Sequence, residues 1–179
     1  RNYDSNKAYA LSVGSVEKFG NGETGFTPNP LSISYTLEYA YFDWCVAELA
    51  KALGKGEDAA KYAQRSLAYK NIFDAEKGWF RPKLKDGSWE TWPEEGRLKQ
   101  WYGTMESNAY QQGWFVPHDI TGMVSLMGGK EKVKADLLTF FEKVPQNMMW
   151  NDFYNHANEP VHHVPFLFNR LGEPSLTQK

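Results

Sequence analysis

The stretch from Trp101 to Asp119, WYGTMESNAYQQGWFVPHD, places one carboxylate, Glu106, among Trp101, Tyr102, Tyr110, Trp114 and Phe115. Asn108, Gln111 and Gln112 add amides, and His118 and Asp119 close the run. Such a set fits a sugar site. Rings stack on pyranose faces, amides bond to hydroxyls, and apolar walls raise an acid's pKa so that it keeps a proton near neutral pH. The same spacing also fits an amphipathic helix with a buried aromatic stripe and an exposed Glu106.

A second cluster, HANEPVHHVPFLFNRLG, sets His156, Asn158, Glu159, His162 and His163 within eight positions. Three readings compete. Zinc would use His156, Glu159 and His162 or His163. Against it, Pro160 puts Glu159 ahead of a helix, and there is no cysteine ligand and no H-E-x-x-H pattern. A structural role would have the histidines bond to backbone at a helix start, with Glu159 as a cap. A hard-cation site would have Glu159 and amide or carbonyl oxygens hold calcium, with the histidines on sugar hydroxyls.

The elements that must position these groups read as helices. The first runs from about Tyr3 to Phe19, with Ala8, Leu11 and Val16 loosely spaced. GNGETGFTPNP (Gly20 to Pro30) is a loop, since its glycines and prolines hold no regular element. Ser34 or Thr36 caps a helix to about Leu53, stopped by Gly54. Leu37, Ala40, Tyr41, Trp44, Ala47 and Glu48 mark its faces. Glu57 and Asp58 suit the start of a partner helix reaching about Phe73, with Ala59, Tyr62, Ala63, Ser66 and Leu67 inward. Next, GWFRPKLKDGSWETWPEEG predicts a hairpin turning at Asp86-Gly87, with Trp89 and Trp92 exposed.

Helix returns near Ser107 and must bend or end before Pro117. Asp119 suits the N-cap of a segment buried through Ile120, Met123, Val124 and Met127, ended by Gly128-Gly129. Lys130 to Lys143 follows, with Val133, Leu137, Phe140, Phe141 and Val144 inward. After the loop MMWNDFYNHANE, Pro160 starts a last helix to Leu171, before Gly172 and Pro174. The expected class is therefore all-α: about six helices in antiparallel pairs, with a small β-hairpin insertion. Alternating short and long loops point to part of a toroid of helix pairs.

Composition limits the function. The chain has 179 residues and a formal net charge of −2. Its pI of about 6.1 gives no basic footprint for nucleic acid. Aromatics make up 16%, yet mean hydropathy is −0.62, a balance common in carbohydrate-active proteins. Cys45 is alone, so no internal disulfide forms. No apolar run reaches the roughly 18 residues of a membrane span.

Three stretches carry a resemblance: SISYTLEYAYFDWCVAELAKALG, ESNAYQQGWFVPHDITGMVSLMGG and HANEPVHHVPFLFNRLGEPSLTQ. They resemble, in order, the patterns S-x-T-L-E-Y-A-Y-D-D-W-C, E-G-N-A-W-Q-Y-x-W-F-V-P-H-D and H-G-N-E-P-S-H-H of glycoside hydrolase family 92, the calcium-dependent, exo-acting, inverting α-mannosidases. Ser107 stands where that pattern has Gly, Tyr110 for Trp, Ala157 for Gly, Val161 for Ser and Phe42 for Asp.

The resemblance implies an N-terminal β-sandwich and a catalytic (α/α)6 toroid, of which residues 1–179 are expected to be about half. The sandwich and the C-terminal part of the toroid are expected outside the chain. By position, Glu106 is expected to be the general acid and Glu159 the main calcium ligand, with Asn108 near metal or sugar. Trp101, Trp114, His162 and His163 are expected to contact substrate. The family's catalytic base lies in a G-N-x-D-x-G-Q type of motif, which is not found in this chain. Expected partners are a mannose-containing glycan and the remainder of the catalytic domain, in an extracytoplasmic setting. The alternative class is a non-catalytic helical module that binds glycan or protein. A half-toroid is also expected to leave one layer of apolar helix faces unpartnered.

Overall fold

The computed structural model describes residues 4–22, 24–28, 30–147 and 149–179. Tyr3, the expected start of the first helix, lies outside them. Helix α1 is Ser5–Phe19, opened by Asp4, whose carboxylate accepts the Lys7 N–H. It buries Tyr9 and Val16, while Leu11 is exposed. Tyr9, not Leu11, packs with Val16 against Val46, Ala47, Ala50 and Tyr62 of the next two helices.

Helix α2, Ser32–Ala52, is the spine of the fold. Ile33, Leu37, Ala40, Ala47 and Ala50 make its buried stripe. Trp44 is half-buried, and Glu48 is exposed. Neither Ser34 nor Thr36 caps it, because both lie inside the helix. The carbonyl of Gly103 does that work, accepting from Ile33 N–H at 2.8 Å and Ser34 N–H at 3.1 Å. Leu53 and left-handed Gly54 end the helix. Helix α3, Gly56–Arg65, packs back along it with Glu57 and Asp58 in its first turn.

Beyond Arg65 the chain tightens into a 3-10 segment, Ser66–Ile72, so the α-helix stops short of Phe73. Tyr62 and Ser66 are buried, but Ala63 faces solvent.

The only named strands among the described residues are β1 (Phe73–Asp74) and β2 (Trp79–Phe80), which pair antiparallel. Asp86-Gly87 turns a second, smaller pairing, in which Lys83 faces Trp89. Neither tryptophan expected on the surface is fully exposed. Trp89 lies under Lys83 and Arg81, and Trp92 packs edge-on against Tyr102.

Helix α4 is one short turn, Ala109–Gln112. Helix α5, Ile120–Leu126, is capped by Asp119, and Met123, Val124 and Met127 are buried as their spacing predicts. Helix α6, Lys130–Glu142, buries Val133, Leu137 and Phe140.

The last predicted helix is broken. Glu159–Val161 and Val164–Phe166 are 3-10 turns, and α7 is only Leu167–Leu171. Pro165 removes a backbone donor that a continuous helix needs. Pro174 opens α8, Pro174–Gln178, where the sequence pointed to an end. One core cluster runs from α2 through β2 and α4 to α7, and a smaller one joins α1, α2 and α3. The class is all-α helix pairs with a small hairpin, as expected. No helix of the described residues is long and apolar enough to cross a membrane.

Candidate functional site

Glu106 sits on a loop that closes on itself. Gln100 pairs with Asn108 across its neck, and the Trp101 N–H donates to the Ser107 carbonyl at 3.0 Å. The Thr104 hydroxyl donates to the same carbonyl. Ser34 on α2 accepts the Met105 N–H at 2.9 Å, and Gly103 lies against the N-terminus of α2. Gly103 is left-handed at φ 70°, and a Cβ there would meet Pro82 at 2.4 Å, so only glycine fits. The turn forces two non-glycine residues into the left-handed region, Trp101 at φ 63° and Glu106 at φ 50°. Such residues cost on the order of 1–3 kcal/mol each and persist only where their surroundings fix them. The loop thus holds the Glu106 backbone rigidly and leaves its side chain exposed.

The amides expected to bind hydroxyls instead join this segment to residues 151–153 and to α2. Asn108 caps α4: its Oδ1 accepts the Gln111 N–H, and Gln111 Oε1 accepts the Asn108 N–H, a reciprocal capping box. Asn108 Nδ2 then donates to the Asp152 carbonyl, and Gln111 Nε2 to the carbonyls of Asn151 and Phe153. Gln112 accepts from the Ser34 hydroxyl. All three amide side chains are buried. Asn158, a member of the second cluster, completes the junction. Asn158 donates its side-chain amide to the Glu106 carbonyl at 3.2 Å, which places Glu159 one residue from the acid's own backbone partner.

The rings divide differently from the expectation. Tyr102, Tyr110 and Trp114 point into the core. Trp114 has no solvent exposure and packs on Trp79, Tyr110 and Phe140, so it has no face for a sugar in this chain. Tyr110 donates to Asp136, with the Arg97 guanidinium stacked on its ring. Trp101 alone stays exposed, at 60%. These rings therefore build no apolar wall around Glu106, because the loop turns its carboxyl outward while they turn inward.

His118, His162 and His163 bond to backbone carbonyls, while His156 Nδ1 meets the Tyr154 hydroxyl. His163 Nε2 lies 2.7 Å from the Trp114 carbonyl, with its ring edge-on to Phe115. A carbonyl only accepts, so this nitrogen carries the proton. Burial is the main reason that the His163 imidazole titrates below its usual range. Neutral His163 therefore presents Nδ1 as an acceptor, which a sugar hydroxyl can use. His162 is exposed and bonds to the His156 carbonyl, and His118 bonds to the Ser66 carbonyl. Asp119 is engaged as a cap, by Gly122 and the Tyr69 hydroxyl.

Comparison with known proteins settles the family. Residues 5–179 match the glycosyl hydrolase family 92 catalytic domain. The chain belongs to glycosyl hydrolase family 92. It is similar to the family GH92 α-mannosidase BT3965 of Bacteroides thetaiotaomicron, with 31% identity and a TM-score of 0.86 over 99% of this chain and 25% of that one. It is likewise similar to BT2199 of the same organism, described as an inverting GH92 mannosidase, at 26% identity and TM-score 0.82, covering 94% and 27%. Among curated proteins, it is 31% identical to an uncharacterized secreted glycosidase of Arthroderma benhamiae, covering 87% of this chain and 21% of that protein. The chain thus spans about a quarter of the length of these relatives.

The GH92 resemblance implies calcium, and the donors can be tested against it. Calcium takes about six to eight oxygen ligands. Among the described residues, no three His, Cys, Asp or Glu side chains gather in one place. Glu159 is exposed, but the Asn108 oxygen is committed to the cap of α4. This GH92 chain therefore offers one carboxylate and no cage of its own. Zinc fits no better: His156 Nδ1 is bonded to the Tyr154 hydroxyl, His162 Nε2 to the His156 carbonyl and His163 Nε2 to the Trp114 carbonyl.

Proposed function

We propose that this chain supplies the acid-bearing part of a GH92 catalytic domain that hydrolyses terminal α-mannosidic bonds with inversion. Glu106 is the general acid that protonates the leaving oxygen. His162, His163 and Trp101 contact sugar. Trp114 serves through the packing that holds His163, because its carbonyl is that histidine's anchor. The base, which inversion places about 6.5–9.5 Å from the acid, comes from the remainder of the domain.

The observation that carries this reading is the Asn158–Glu106 bond. It joins the two loops whose residues the family match spans, and it does so at the acid's own backbone. The relatives are named as α-mannosidases, and one was solved with mannoimidazole bound, which supports a mannoside as the substrate class. Calcium dependence is proposed for the whole domain, with Glu159 giving one ligand and the other oxygens coming from outside this chain. An extracytoplasmic location is proposed from the secreted relative.

The test is the anomeric form of the product. The complete enzyme is incubated with an α-linked mannobiose and followed by proton NMR. Inversion releases β-mannose first. Release of α-mannose first overturns the proposed stereochemistry. Absence of hydrolysis with retained glycan binding returns the chain to a non-catalytic helical module.

A further inference from the structure

Both arms of the Glu106 loop are tied to one carboxylate on another element. The arm before the loop is a 3-10 turn, Gly96–Leu98, and the arm after it is α4. Arg97 in the first arm donates from Nη1 and Nη2 to the two carboxylate oxygens of Asp136 on α6. Tyr110 in the second arm donates its hydroxyl to Asp136 Oδ1 at 2.8 Å, and the Asp136 carbonyl lies at the same distance. The Arg97 guanidinium is also 3.6 Å from the centre of the Tyr110 ring and 4.4 Å from that of Trp79. A planar fork does all of this at once: its edge pairs with a carboxylate while its face stacks on rings. An ammonium has no such plane.

This clamp sits just outside the neck of the loop. Arg97 precedes Gln100 and Tyr110 follows Asn108, and Gln100 and Asn108 pair with each other. Trp101 and Glu106, both left-handed, lie inside that pairing. Backbones of this kind persist only where the surroundings over-determine them. The tip of the loop is held by Ser34, through the Met105 N–H, and by Asn158, through the Glu106 carbonyl. Its base is held by Arg97, Tyr110 and Asp136. We infer that Arg97 is a positioning residue for Glu106. With Asp136 and Tyr110 it sets the spacing of the two arms, and so the direction in which the acid's carboxyl leaves the backbone. The inference rests on the reading of Glu106 as the acid and adds the residues that aim it.

The experiment uses the complete enzyme and two substrates. An α-linked mannobiose needs the acid's proton, and an aryl α-mannoside with a strongly acidic phenol does not. Arg97→Lys keeps the charge and loses the fork. Tyr110→Phe keeps the ring and loses the donor, and it carries the same comparison if Arg97→Lys does not fold. Arg97→Lys is expected to lower kcat/KM on mannobiose by about ten- to a hundredfold, as for a displacement of up to about 1 Å. Its aryl mannoside activity, which also reports folding, is expected to stay within about twofold of wild type. Tyr110→Phe is expected to change in the same direction and by less. In a Glu106→Gln background, Arg97→Lys is expected to add no further loss on mannobiose, because no proton is left to aim. A clamp that only supports the fold would lower both substrates alike and would add its loss to that of Glu106→Gln. Either result overturns the inference, as does full activity of both variants on mannobiose. If Glu106→Gln alone lowers both substrates alike, the acid reading itself falls, and the inference with it.

Discussion

Asn158 holds the Glu106 carbonyl through its side-chain amide, at 3.2 Å, across 52 positions of sequence. The acid's backbone is thereby fixed from the second motif as well as from its own loop. Asn158→Asp keeps the shape but replaces the donor with an acceptor facing a carbonyl. Misplacing a catalytic group by about 1 Å can cost about a hundredfold. Asn158→Asp is therefore expected to lower kcat of the complete enzyme by about ten- to a hundredfold with little change in KM. Steady-state kinetics on mannobiose check this, and a loss confined to KM would place Asn158 on the substrate instead.

Glu106 at φ 50° makes a prediction about stability. Glycine adopts this conformation without the clash of a Cβ. Glu106→Gly is expected to stabilise the fold by on the order of 1 kcal/mol while abolishing acid catalysis. Glu106→Ala keeps the Cβ and is expected to show no such gain. Thermal melts of the two variants against wild type are the measurement. Equal Tm values for the two would mean that the loop carries no strain at this residue.

How much of this was legible depends on what each feature is made of. Helices α5 and α6 could be read directly, because Met123, Val124 and Met127, then Val133, Leu137 and Phe140, repeat with the helical period and are buried. The start of α2 could not, because its cap is the backbone carbonyl of Gly103, about seventy residues away and invisible as a residue type. Trp114 was read as a sugar wall because a core ring and a stacking ring look identical in sequence, and only the fold decides which way it points. Asn108 had a usable signal: an amide followed three positions later by Gln111 is a capping box. That pattern competes with any ligand role for its oxygen. The final helix was overextended because Pro165 was read within a helical run, where it breaks the hydrogen-bond ladder.

The pH dependence has a sign that can be worked out. His163 titrates below its usual range, chiefly through burial, with His162 adding and the Trp114 bond opposing. A depressed histidine contributes stability that is present above its unfolded value of about 6.5 and is lost as pH falls through the folded value. Asp43 acts in the opposite sense: burial pushes it up to about 6 against the pull of Arg65, so its contribution declines as pH rises toward 6. Only a difference isolates His163. The stability gap between wild type and His163→Gln is expected to be largest above pH 7 and to shrink on acidification. A gap independent of pH would remove the buried neutral imidazole from the account.

Metal dependence tests the role given to Glu159. Chelation is expected to suppress mannoside hydrolysis by the complete enzyme, with calcium restoring it and zinc failing to do so, since zinc prefers tetrahedral nitrogen and sulfur donors. Glu159→Gln is expected to raise the calcium concentration needed for half-activation by at least about tenfold. A variant with an unchanged calcium requirement would take Glu159 out of the ligand set.

The central claim is that Glu106 gives its proton to the leaving oxygen. Such help is worth about 10²–10⁴-fold, and it matters only for a poor leaving group. The decisive measurement is kcat/KM of Glu106→Gln in the complete enzyme on mannobiose and on an aryl α-mannoside with a strongly acidic phenol. The account predicts a loss within that range on mannobiose and a much smaller loss on the aryl mannoside. Equal losses on both substrates, or no loss on mannobiose, would contradict it.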